Sequence, residues 1–483
     1  MNYRLIFFYL GRILQIVCVF LVLPFLVGLI YGEYTHLWSI LVTMAVYLAV
    51  GFAMTFRFGK KRDRKLRNRE ALVIVGLCWV FVSLIGALPF VLDGCIPNYI
   101  DALFETISGF TTTGATILDE PSVLPRCMLF WRSFTHWLGG MGILVFILAV
   151  MPGTDGSTFH LFKFESPGPQ VGKLTSKVRH TATILYLIYF VLTVIEMLFL
   201  LPKVGVFEAI LTAMSTAGTG GFASTGASIA AFDSLYVEIV VMVFMFLFSL
   251  NFNVYYLIVL RHWKLAFTDE ELIFYVTYVV GAILAIACNL IPYYGGDFWT
   301  ALRYSSFSVL SLTSSTGFAT ADFGQWPKLA QSMLYVCMFF GACAGSTGGG
   351  FKASRIVILI KSAYKHLLQV LNPHRVQCVK MNGKPLEKEE SDGVVQYFLI
   401  YVMIFIVALV LLSAEKTGSF SQTFSSTLSC LNNDGPYMTN AFGGYGDCSV
   451  FSKIIYMFLM LIGRLEIFPF LLLFVRGTWR KIQ

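Results

Sequence analysis

Charge is scarce in this chain. Asp, Glu, Lys and Arg make up 13% of the 483 residues, while 57% are hydrophobic. An ordinary soluble domain carries about a quarter of its residues as charges, so that class is excluded. Histidine is scarce too. The seven (His36, His136, His160, His180, His262, His366 and His374) are scattered and no two lie four apart, which excludes a zinc-hydrolase helix. The ten cysteines form no CxxC or Cys/His metal spacing. Cys95 and Cys448 both fall on one face of the expected topology, and nothing in the sequence pairs them. A phosphate-binding loop is missing as well: in the glycine-rich stretch before Lys352, Phe351 precedes the lysine and Ala353 follows it. No connection is long enough for a nucleotide-binding domain. The expectation is a protein that is not an enzyme and needs no cofactor.

Long apolar runs are abundant. Ten segments are long enough to span a bilayer: 5–31, 37–58, 71–92, 127–151, 181–201, 236–260, 271–292, 329–360, 394–413 and 449–475. They are continuous and do not alternate, which favours helices over a barrel. The first run follows Arg4 and Arg12, no small-residue cleavage pattern closes it, and it reads as a retained helix. Of the 35 Lys and Arg, 27 fall on the side of the N-terminus, seven on the other, and Arg464 lies within a span. Both termini are therefore expected in the cytoplasm.

The far-side connections after the first share a design. Each has a short apolar stretch (101–110, 208–217, 300–313, 420–431), too short to span, leading into a Ser/Thr/Gly/Asn-rich segment. Each segment carries Ser, five residues, Gly: Ser108 to Gly114, Ser215 to Gly221, Ser311 to Gly317, Ser429 to Gly435. One such match means nothing; four in equivalent connections indicate a repeated unit. Re-entrant half-helices would aim their partly negative C-terminal ends at one axis, which favours cations. Carbonyl oxygens of the following strands would replace a cation's hydration shell. Glycine reaches the positive φ that such a strand needs, and small Thr and Ser neighbours add hydroxyl oxygens. The fold class is therefore all-α integral membrane: ten transmembrane helices, arranged as an N-terminal hairpin and four helix–pore-loop–helix repeats around a pseudo-fourfold pore. The divisions expected are 1–69 for the hairpin, then repeats at 70–160, 161–264, 265–391 and 392–483.

Thr111-Thr112-Thr113-Gly114-Ala115-Thr116, Gly220-Gly221-Phe222, Thr316-Gly317-Phe318 and Leu431-Asn432-Asn433-Asp434-Gly435-Pro436 resemble the pore loops of the Trk/Ktr/HKT superfamily of potassium transporters. Trp137-Leu138-Gly139-Gly140-Met141-Gly142, the run Gly345 to Gly350, and Gly463-Arg464-Leu465-Glu466 extend the resemblance over the whole chain. The N-terminal hairpin and the length are similar to the bacterial TrkH branch. The resemblance implies K+ uptake across a bacterial inner membrane by a homodimer, working with a cytosolic nucleotide-binding regulatory subunit of the TrkA type. It places K+ contacts at Thr112, Thr113, Gly114, Thr219, Gly220, Gly221, Ser315, Thr316, Gly317, Asn433, Asp434 and Gly435, with K+ itself the only metal ion. Asp434 departs from the uncharged residue expected there, and the reading favoured for it is that its backbone carbonyl alone faces the axis. A Na+-coupled or less selective monovalent cation transporter is the alternative. Three loops that offer only neutral oxygens suit K+ better.

Below the filter, Gly345, Ser346, Thr347, Gly348, Gly349 and Gly350 interrupt the eighth span and are expected to form a gate loop. Arg464, inside the last span, is expected to face the pore and add an electrostatic barrier, with Glu466 on another helix face. Glu105 is assigned to the start of a half-helix, where it would suit the dipole. Glu196 and Glu238 read as helix-interface residues. Trp131, Trp137 and Trp326 read as membrane-interface anchors, and the many Phe as lipid-facing bulk. Asn382-Gly383 fits a type I′ hairpin or a plain solvated loop equally.

Overall fold

A helix buried in lipid satisfies its own backbone, and the long apolar runs accordingly fold as helices. The computed structural model describes residues 1–483 except 59–67, 143–177, 373–377, 416–417, 443 and 480–483. The basic runs at 60–67 and 163–177, and the end of the expected span 127–151, lie outside the described residues. The sole strands among the described residues are two-residue pieces, Lys380–Met381 and Lys384–Pro385.

Tyr3–Ile30 and Leu37–Phe58 form the N-terminal hairpin. Gly11 and Gly51 face each other at their crossing. A Cβ on Gly11 would lie 2.7 Å from the Gly51 carbonyl oxygen, so only bare backbone permits the approach. Glu33 in the turn accepts the Arg126 N–H at 2.8 Å and the Cys127 N–H at 3.0 Å, capping a helix of the first repeat.

Each of the four repeats then runs outer helix, pore helix, loop, inner helix. The outer helices are the composite Arg69–Asp93, Val178–Val204, Glu270–Leu290 and Lys388–Ser413. The pore helices are Tyr99–Phe110, Val206–Ala217, Phe298–Thr313 and Phe420–Asn432. Polar caps start three of them: Asn98, Asp297 and Ser419 each accept a first-turn N–H. Gly205, at φ 79°, starts the second. The inner helices are Arg126–Gly140, Leu235–Ser249, Lys328–Phe340 and Val450–Arg464.

The inner helices hold the main departure from the sequence reading. At 13 to 15 residues none alone crosses a 30 Å hydrocarbon layer. The segment 236–260, read as one span, bends by 89° between Ser249 and Phe252. The segment 449–475 stops at Arg464, and Glu466 and Ile467 follow at φ 57° and 55°. The glycine loop ends the third inner helix as expected. Among the described residues, six helical segments are long and apolar enough to cross a membrane, and the bent pair counted as one makes a seventh. Broken helices at this depth line a cavity, because lipid cannot satisfy the freed backbone groups.

On the basic side, Asn382 (φ 51°) and Gly383 (φ 74°) turn the hairpin that pairs Met381 with Lys384. Of the two readings left open by the sequence, the hairpin is the one adopted. All ten cysteines are free thiols.

Candidate ion pathway

The four loops repeat one backbone conformation. The residue two before each glycine has φ of 52–60°: Thr112, Thr219, Ser315 and Asn433. Each glycine has φ of 77–91°. The residue between donates its N–H, at 2.9 Å, to the carbonyl of the serine five positions earlier: Thr113 to Ser108, Gly220 to Ser215, Thr316 to Ser311, Asp434 to Ser429. The serine spacing read from the sequence is thus a backbone bond closing each pore helix onto its strand. The positive φ at four non-glycine residues was not legible. An αL residue costs roughly 1–2 kcal/mol; Asn433 tolerates it best, and the β-branched Thr112 and Thr219 least.

The strands close into a ring. A Cβ on Gly114 would overlap the Gly220 carbonyl oxygen; on Gly221, that of Thr316; on Gly317, that of Asp434; on Gly435, that of Thr113. Each glycine is therefore covered by the carbonyl of the next repeat, in order, and the fourth returns to the first. The twelve candidate filter residues come together at this ring. Several hydroxyls there are already engaged. Thr113 pairs with Thr111 at 2.8 Å and accepts Asn433 Nδ2 at 2.9 Å; Thr316 pairs with Ser314 at 2.7 Å; Thr219 and Ser315 donate to the carbonyls just before them.

Support behind the ring differs from loop to loop. Behind the second loop stands His136 of the first inner helix, in the space that side chains at Gly218 and Gly220 would need. Its Nδ1 meets the Gly109 carbonyl at 2.8 Å. Asn432 binds Tyr401 and the Met338 carbonyl at 2.9 Å each. Asp434 is fully buried, and neither carboxylate oxygen has a hydrogen-bond partner among the described residues. No sequence signal set His136 apart from the other histidines; the glycines that make room for it are 82 and 84 residues away.

Glu105 corrects the dipole reading. It lies in the middle of its pore helix, buried, and pairs with buried Arg132 at 2.6 Å. It also accepts Thr116 Oγ1 and the Ile117 N–H, while Arg132 donates to the Ala223 carbonyl and covers the Phe222 ring. The pair thus ties the strands that leave the first two loops. Glu238 does join helices, as expected, with a two-pronged pair to Arg303 at 2.6 and 2.7 Å. Glu196 is fully buried in the second outer helix. Trp131 and Trp326 are buried, and Trp137 is half-buried and stacked on Phe134. They pack the helix bundle and do not anchor it in the headgroups. Phe104, Phe110, Phe222 and Phe248 are fully buried as well, so phenylalanine is core here and not only lipid-facing bulk.

The expected gate residues lie directly beneath. The Gly350 N–H donates to the Asn432 carbonyl at 2.8 Å, and the Gly349 N–H to Ser315 Oγ. The second repeat grips the same loop: Cys343 N–H on the Ser249 carbonyl, Thr347 Oγ1 on that of Phe248, and Phe252 N–H on that of Gly345. Arg464 donates to the carbonyls of Thr347 (3.1 Å), Gly140 (2.5 Å) and Gly139. One guanidinium from the fourth repeat thus joins the glycine loop to the end of the first inner helix. Two further cations were missed in the sequence. Lys352, buried, donates to the Gly348 carbonyl, and Arg355 pairs with Glu466. Glu466 reaches Arg355 because the helix has already ended, and not by occupying another helix face.

Four half-helices that meet in a carbonyl ring, above a loop pinned by an intramembrane arginine, define a multi-pass membrane protein for moving cations, not an enzyme. The chain belongs to the TrkH family of cation transport proteins, whose model matches residues 36–281 and 298–480. It is 34% identical to the Trk system potassium uptake protein TrkH of Halomonas elongata and 33% to that of Escherichia coli K12, with all of each chain covered. It is 31% identical to the TrkG protein of Escherichia coli K12 over 95% of each chain. The crystal structure of the potassium transporter TrkH from Vibrio parahaemolyticus matches with a TM-score of 0.89 and 31% identity, covering 99% of this chain and all of that one.

Proposed function

We propose that this chain takes up potassium through the ring of four loops. The observation that carries the reading is the cyclic order of glycines and carbonyls, with the same pair of positive-φ residues in each loop. A ring of backbone oxygens replaces the water shell of a large, weakly hydrated cation. The ion contacts fall on Thr112, Thr113 and Gly114, Thr219, Gly220 and Gly221, Ser315, Thr316 and Gly317, and Asn433, Asp434 and Gly435. Residues 345–350 with Arg464 act as the gate. The named activity of the Halomonas and Escherichia relatives supports potassium as the ion. On this reading the hairpin 1–69 and the repeats 70–160, 161–264, 265–391 and 392–483 are the functional units. The protein sits in the bacterial inner membrane with both termini cytoplasmic. It works as a homodimer, with a cytosolic nucleotide-binding subunit setting the gate. The test is 86Rb+ or K+ flux into liposomes holding the purified protein, together with growth of a K+-uptake-deficient bacterium at limiting K+. Equal flux of Na+ and K+ would remove the potassium assignment and leave a less selective cation pathway.

A further inference from the structure

The third outer helix opens on Asp269-Glu270-Glu271, and the proposed function uses none of the three. Each holds a different part of the protein. Asp269 caps its helix on the Leu272 N–H (3.1 Å) and accepts Asn382 Nδ2 (2.7 Å) from the hairpin. Glu270 returns the contact, its N–H donating to Asn382 Oδ1 at 2.8 Å. Its carboxylate takes Lys361 Nζ at 2.5 Å, and that ammonium also donates to the Lys380 carbonyl at 2.9 Å. Glu271 is buried. One of its oxygens, Oε1, accepts both the Ala344 N–H (2.6 Å) and the Ser354 N–H (3.0 Å). Those two residues bracket the gate loop, one at its entry and one in the first turn of the helix that leaves it. The other oxygen lies 3.5 Å from Asn251 Nδ2, at the bend of the second inner helix.

We propose that Glu271 is the positioning residue of the gate loop, and that the hairpin 380–385 sets the loop's position through Asp269, Glu270 and Glu271. The inference rests on reading residues 345–350 as the gate. One carboxylate oxygen fixes the separation of the loop's two ends. Removing it leaves two buried N–H groups without their acceptor, in a place where water does not compete. Adjacent residues at a helix start move as one body, so a shift of the hairpin carries to Glu271 over a single helical turn. Both donors share one oxygen, so a single side chain holds the two ends of the loop together.

The experiment is single-channel recording of the purified full-length protein in planar bilayers, without any partner. Glu271→Ala should raise the open probability by about tenfold or more, since two buried hydrogen bonds are lost. Unitary conductance and K+-over-Na+ selectivity should stay at wild-type values, because the filter is untouched. Glu271→Gln keeps a carbonyl oxygen for both N–H groups and should return most of the closed fraction. Asn382→Gly removes both Asn382 side-chain bonds while tolerating φ 51°, leaves the tie through Lys361, and should give a smaller rise, about threefold. The double variant Glu271→Ala/Asn382→Gly should match Glu271→Ala alone, because the hairpin acts through Glu271. A wild-type open probability in Glu271→Ala, additive effects in the double variant, or an altered selectivity would each overturn the proposal. Should Glu271→Ala not fold, an unchanged open probability in Asn382→Gly overturns the hairpin link by itself. Absence of any cation current from both the wild-type protein and Glu271→Ala would instead strike the proposed function.

Discussion

The filter ring and the layer just beneath it are built on opposite plans. In the ring, all four repeats use the same φ signs, the same serine carbonyl bond and the same glycine under the neighbour's carbonyl. In the layer below, each repeat ends its inner helix differently. The first ends at Gly139-Gly140, the second turns by 89°, the third enters a glycine loop, and the fourth stops at Arg464. A cation losing its water needs oxygens on every side, which favours equal loops. On the proposed reading, a barrier needs only one element across the axis, and the other three repeats hold it.

Gly221→Ala breaks the symmetric half most severely. The new Cβ meets the Thr316 carbonyl, and αL adds about 1–2 kcal/mol. K+ uptake in the complementation assay should disappear; near-normal uptake would mean the ring is wider than described. Glu105→Ala follows. It leaves Arg132 charged, buried and without its carboxylate, a loss of roughly 3–5 kcal/mol. The purified variant should melt well below the wild type; an unchanged Tm would show that the pair is not a structural tie. Arg464→Ala tests the asymmetric half. It removes the link between Thr347 and the Gly139-Gly140 carbonyls, and flux into liposomes should rise about tenfold. A slower but folded protein would make Arg464 a conduction residue and not a barrier. Asp434→Asn is the mildest. Asp434 is the one acid in the ring, and its neutral counterpart should raise the half-saturation concentration for K+ about three- to tenfold. Unaltered kinetics across external K+ would confine Asp434 to its backbone carbonyl.

Local patterns carried much of this in the sequence. Apolar runs of spanning length placed the outer helices, because lipid leaves backbone no alternative to a helix. The repeated Ser-x5-Gly placed the ring of four loops, since it records a bond made within each pore helix and its strand. The glycine run before Lys352 placed the loop below it. Asn382-Gly383 fitted a type I′ turn and a plain loop equally, and the pairing of Met381 with Lys384 decided for the hairpin.

What the sequence could not decide by itself were contacts between residues far apart in the chain. The break at Leu250–Asn251 has no glycine or proline at the hinge, whereas the one after Arg464 lies between Gly463 and Pro469; both stand because neighbouring repeats satisfy the freed groups. Glu105 found Arg132, His136 filled the space behind Gly220, and Glu271 took the N–H groups of Ala344 and Ser354 only once the helices were packed. A buried charge or a bare backbone N–H takes whichever partner the tertiary fold delivers. Composition says that such a partner must exist, and only the packing says which one it is.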